Sequence, residues 1–250
     1  MRITALPPRW RLSYPQISAG VYQPAQYCGT IEPMDRLDKH YLYNRVPRVS
    51  TPQDGVFTRQ QAFADGFTRG SADHKTKYGL WVKAGGQGLV ERGESITMRQ
   101  LANAMAVTWP DATVIGQSAV LLWYPDAPVP PAQELICAVP TKRRPRLGLA
   151  PKRVAMPDDE VTKWRGLIRL QKRQPALVDA IAWLPDDAAN SLFAWSVARH
   201  LVSLEQFEAL LARRAGHRGT ACLRGFRKWL ASGAASPLEF AVHGDRKSVV

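Results

Sequence analysis

The residues of this 250-residue chain whose types and spacing could do chemistry are cations and amides suited to recognition rather than to catalysis. Arg69, Ser71, His74, Lys75 and Lys77 crowd into one helix-compatible stretch; on a helix laid in a major groove, such polar side chains meet base edges while the cations meet phosphates. Lys83 and Gln87 follow, placed to reach an adjacent groove or the backbone. Enzymatic patterns are poor by comparison. AGGQG (84–88) lacks the Lys-Ser/Thr ending of a phosphate loop, and GQSAV (116–120) lacks the second glycine of a nucleophile elbow. In PDDE (157–160) the carboxylates are adjacent, whereas two-metal chemistry needs ligands converging from separate elements, so Asp158 and Asp159 read as turn residues. His200 and His217 have no metal-ligand neighbour. No catalytic residue, metal or cofactor is expected.

The recognition residues need elements to hold them, and punctuation supplies these. Thr58 followed by Gln61 is a capping-box pattern, and Gly66 stands where a C-terminal cap would, which predicts a first helix of about two turns. A second start at Thr68 or Ser71 predicts a helix to Tyr78, ended by Gly79. Two short helices joined by a Gly-bearing turn make a helix-turn-helix candidate. Leu80, Trp81 and Val82 then read as a strand, Gly85, Gly86 and Gly88 as a tight turn, and Leu89 and Val90 as the returning partner. Helix pair plus hairpin is the winged-helix order, although two short amphipathic helices also occur inside helical cores that bind no DNA.

The formal charge of +13 favours a polyanionic partner through counterion release, and RNA would satisfy it as well as double-stranded DNA. The charge is uneven: residues 140–173 carry eleven basic side chains against Asp158, Asp159 and Glu160. Within that region KRRPR, containing Lys142, Arg143, Arg144 and Arg146, is either a solvated loop flanking two strands or a direct phosphate contact.

A 45% hydrophobic content suits one or two globular domains with a real core. Cys28, Cys137 and Cys222 are far apart and without ligand spacing, which argues against a disulfide framework or zinc site. No apolar run approaches the roughly 20 residues of a membrane helix and no signal-peptide core opens the chain, so no membrane partner and a cytoplasmic location are expected.

Residues 1–54 read as a loose arm or as sequence ahead of a later start at Met34. Residues 55–125 are expected to hold the winged helix-turn-helix and its packing helices. Among these, Thr97 and Gln100 open a helix with Met98, Leu101, Ala102 and Met105 on one face, another helix covers 118–123, and the prolines of YPDAPVPP mark a linker. Over 132–232 the strand candidates are 134–139, 149–156 and 164–170, followed by helices at 175–184 and 188–200, a capping box at Ser203 and Gln206, and an apolar stripe of Leu223, Phe226 and Leu230. The expected class is α+β, a winged helix-turn-helix followed by a small sheet packed with helices.

The order FTRQQAFADGFTR, GLWV, GQSAVLLW, ELICAVP, KRRPR and QKRQPALVDAIAWL, spanning about 56–232, resembles the AbiEi-type antitoxin and regulator family, especially its actinobacterial members. The resemblance implies an N-terminal winged helix that binds promoter DNA and represses its own operon. It also implies a C-terminal domain that counters a nucleotidyltransferase-like toxin. By position, Arg59, Arg69, His74, Lys75, Lys77 and Lys83 would contact DNA, and Asp179 matches a recurring acidic residue read here as structural rather than catalytic. The hairpin departs from the family pattern: AGGQGLVERGES is more glycine-rich than the usual arginine-bearing wing.

Ser236 to Glu239 resemble the SPLE signature opening a very-short-patch-repair-endonuclease-like domain, so 236–243 is expected to be the start of a truncated module. The final DRKSVV is what a common sequencing adapter encodes, which makes 244–250 an expected artefactual tail and the native chain longer. A DNA-targeting fragment of a truncated endonuclease and an RNA-binding protein are the alternatives to a regulator.

Overall fold

The computed structural model describes residues 46–93, 95–217 and 219–232; it mixes helices with one two-stranded and one five-stranded sheet. The start at Met34, the segment 236–243 and the tail 244–250 lie outside the described residues. Residues 46–54, expected to belong to the arm, are packed instead. Arg48–Gln53 forms a 3-10 turn, and Val46 and Val49 lie on a small core of Phe57, Ala62, Phe67, Ala72, Trp81 and Leu89. Burying those valines seals one side of a cluster too small to exclude water alone.

Local signals produce the first unit. Thr58 caps α1 (Arg59–Ala64) through a complete capping box with Gln61, and Gly66 takes the left-handed conformation after it, at φ 94°. Thr68 caps α2 (Arg69–Lys77) by accepting from the Ser71 N–H. Strands β1 (Trp81–Gly85) and β2 (Gly88–Glu91) pair antiparallel, and Phe57 exchanges two backbone bonds with Leu89, of 2.9 and 2.7 Å, adding a third edge. Edge-to-face contacts of Trp81 with Phe57 and Phe67 (4.7 and 5.2 Å) weld helices and hairpin together.

Helix α3 (Met98–Thr108), started by the Thr97–Gln100 box, is shared by both halves of the molecule. Leu101, Ala102 and Met105 enter the main core, while Ala104 faces the hairpin with Val56, Ala84 and Val90. Next come β3 (Thr113–Val114), α4 (Gly116–Trp123), β4 (Leu135–Val139), β5 (Leu149–Arg153), β6 (Val161–Trp164) and β7 (Ile168–Gln171). The sheet order is β5-β4-β3-β7-β6; β4 with β5 and β3 with β7 are parallel, and β3 with β4 and β6 with β7 antiparallel. Helices α5 (Arg173–Trp183), α6 (Asp186–Ala198), α7 (Leu204–Arg213) and α8 (Thr220–Ser232) complete the fold. Leu135, Leu149, Ile168, Leu170, Leu177 and Ile181 are fully buried between sheet and helices, each contributing about 1.5–3 kcal/mol.

Four expectations are corrected. The boundary between 55–125 and 132–232 does not divide the core, because β3 lies in the middle of the five-stranded sheet and α4 shares the apolar cluster of α5. The proline segment 124–131 is no free linker: Ala127 and Val129 are buried in that cluster. The strand expected over 164–170 is two strands, turned by Arg165 and Gly166 at φ 50° and 78°, and the strand expected to 156 ends at Arg153. No helix among the described residues is long and apolar enough to cross a membrane.

Candidate nucleic-acid interface

Helix α2 sorts its predicted residues by face. Arg69, His74 and Lys77 are exposed and Ser71 is half-buried. Lys75 is corrected: at 4% exposure it points inward, its Nζ over the rings of Phe67 and Trp81 at 5.5 and 5.2 Å. Burial pushes its pKa down, offset by the charge of Glu91 across the hairpin. A lysine in that position braces the aromatic core by a cation–π contact and does not reach a phosphate. The signal lay in the spacing, since Lys75 falls three residues after buried Ala72 and therefore on the same helix face.

The outer face also carries residues that the sequence reading passed over. Tyr78, at 61% exposure, lies 4.3 Å from the His74 ring, a platform for stacking at the helix C-terminus. Asp73 pairs with Arg59 at 2.6 Å, so one predicted contact is partly neutralised by an acid on α2 itself. Arg59, Lys83 and Gln87 border one hollow of about 260 Å³ between the start of α1 and the hairpin tip.

The hairpin tip is tethered. The Gln87 N–H donates to Thr108 Oγ1 at 2.9 Å, and the Gly86 N–H donates to the Leu147 carbonyl at 3.3 Å. A Cβ on Gly88 would stand 2.6 Å from that of Ala104, so glycine here is what lets the turn lie flat on α3. The Leu147 contact puts the hairpin beside the basic loop 141–148. That loop is closed by two backbone bonds between Arg146 and Leu149, of 3.2 and 2.8 Å, and by Gly148 at φ 69°. Lys142, Arg144 and Arg146 are exposed and have no ion pair among the described residues. Arg143 differs, gripping Asp111 with two bonds of 2.7 and 2.6 Å over the ring of Trp109. The two basic regions read separately from the sequence thus adjoin, with Arg143 serving as an anchor.

A second polar cluster lies in the C-terminal part. Arg214 is 7% exposed and bonds Asp179 through Nε and Nη2, and Glu160 through Nη2 at 3.1 Å. Burial works against its charge, but the two carboxylates outweigh that and hold its pKa above the ordinary value. Asp179 also accepts from Gln171 Nε2 at 2.6 Å, and Gln171 Oε1 accepts from the Gly116 N–H at 2.9 Å. The chain of bonds thus ties α5, β7, α4 and the turn after α7 together. Asp179, expected to be structural, spends both oxygens in this network. Arg214 has no local signal, and Glu160 stands out only as part of PDDE, because their meeting is non-local. Asp159, beside Glu160, is held below the usual carboxylate range by the Arg213 guanidinium.

The chain has no match among models of known families, and none among curated proteins.

Proposed function

We propose that this protein is a DNA-binding transcriptional regulator of the AbiEi antitoxin type, with residues 46–93 acting as a winged helix. It would repress its own operon and counter a nucleotidyltransferase-like toxin. The observation that carries the reading is the outer face of α2. Arg69, His74, Lys77 and Tyr78 are all exposed there, on a helix capped at one end by Thr68 and held at the other by the Trp81 core. Cations for phosphates, an imidazole for base edges and an aromatic ring for stacking form the equipment of a recognition helix. Charge of +13 over the whole chain would speed encounter with duplex DNA. In this reading the Arg214 cluster is architectural, and catalysis has no part.

The test is binding of the full chain to a duplex from the region upstream of its own gene, against a mixed-sequence duplex of equal length, across a salt series. Preference for the upstream duplex is expected, and it should vanish in Arg69→Ala/His74→Ala. Equal binding of both duplexes by the unaltered protein overturns the regulator reading. For the toxin, co-expression should rescue growth from an adjacent nucleotidyltransferase-like gene product, and continued toxicity would remove that half of the proposal.

A further inference from the structure

We infer that the basic loop 141–148 is the missing cationic tip of the wing, so that the DNA-contacting wing is assembled from two distant parts of the chain. The inference rests on the DNA-binding reading above and extends it to a second set of contacts, with the phosphodiester backbone as ligand.

The β1–β2 turn, Gly85 to Gly88, holds no cation; its one polar side chain is Gln87, and the cation nearest in sequence is Lys83. A wing built that way would touch the backbone with few charges. Directly against it lies a loop with four cations and no acid, TKRRPRLG. The contact is intimate: besides the Gly86 to Leu147 bond, a Cβ on Gly148 would stand 2.7 Å from the Leu101 side chain and 3.1 Å from the Ala84 carbonyl. Arg143, clamped to Asp111, fixes the loop's stem, and the Arg146–Leu149 bridge fixes its end. Lys142, Arg144 and Arg146 therefore project from a preorganised turn, which lowers the entropy lost when they engage phosphates. Surface lysines scattered for solubility need no such anchoring. The polyanion matched by this strip is continuous with whatever lies against Lys83 and Gln87, as a duplex backbone would be.

The experiment compares three full-length proteins on the upstream and mixed duplexes: the unaltered chain, the loop variant Lys142→Ala/Arg144→Ala/Arg146→Ala, and the helix variant Arg69→Ala/Lys77→Ala. Three lost phosphate contacts lower the slope of log K against log salt by about 2.7 and weaken binding roughly 100-fold near physiological salt, equally on both duplexes. Hydroxyl-radical protection shrinks on one flank only. The charge-retaining Arg144→Lys/Arg146→Lys variant keeps the slope, and unchanged melting shows that the loss is not misfolding. If the loop variant keeps the full slope while the helix variant loses affinity, the loop is a solvated turn; this inference falls and the DNA reading stands. If the unaltered protein binds neither duplex, or binds RNA in preference, both fall.

Discussion

Two groups of cations in this molecule are treated in opposite ways. Around α2, the hairpin and loop 141–148, Arg69, Lys77, Lys83, Lys142, Arg144 and Arg146 are exposed. In the body, Arg214 is buried between Glu160 and Asp179, Arg213 bonds Asp159, and Arg227 bonds Glu208. The formal charge counts both groups alike, yet only the first can attract a polyanion at close range. Among the described residues, surplus charge is therefore open to a polyanion where carboxylates are missing from contact distance, and architectural where they are present.

The largest expected effect breaks the architectural side. Arg214→Gln takes the cation from part-buried Asp179, leaves buried Glu160 only Arg213 at 3.5 Å, and should cost about 3–5 kcal/mol of stability, read by chemical denaturation. At temperatures where the variant is folded, its affinity for duplex DNA should equal that of the unaltered protein; a selective loss of binding at full stability would make the cluster part of the interface. A smaller effect tests the join between the hairpin and α3. Gly88→Ala presses a methyl group into Ala104 and should cost about 1–3 kcal/mol, because the obstacle includes the α3 backbone.

Legibility in the sequence divided along the same line. Capping boxes at Thr58, Thr97 and Ser203 were readable because both partners lie within three residues, and all three form as expected. Strand β3 was not readable: two residues carry no periodicity, and they become a strand only by pairing with Ala138 and Arg169 from either side. The same non-locality hid the Arg214 network, whose partners are 54 and 35 residues away. The exposed cations of α2 were found by type, but type alone misplaced Lys75. Helical spacing from Ala72 puts Lys75 on the buried face.

Lys75 and Lys77 sharpen the comparison on a single helix. Lys77→Ala should lower the salt slope by about 0.9 and leave melting unchanged. Lys75→Met should do the reverse, leaving the slope intact and moving stability by about 1 kcal/mol or less, since the lost cation–π contact is offset by relief from burying a charge. Because burial lowers the Lys75 pKa when folded, the unfolded chain binds more protons just below the ordinary lysine value. The unaltered protein should therefore gain stability relative to Lys75→Met as pH rises through that window. A parallel pH course for the two would place Lys75 in solvent.

The smallest effect is a gain. Asp73 is the one acidic residue within α2, and its pairing with Arg59 at the surface is worth little to folding, about 0.2–1 kcal/mol. In front of a polyanion the same carboxylate is costly twice over, by its own repulsion and by holding Arg59 away from phosphate. Asp73→Asn should strengthen duplex binding roughly two- to fivefold at low salt and less as salt rises. Adding Arg59→Ala should cancel most of that gain, which separates release of the arginine from simple removal of a negative charge. If Asp73→Asn binds no more tightly, DNA does not pass along the outer face of α2, and the exposed cations there serve some other polyanion or none.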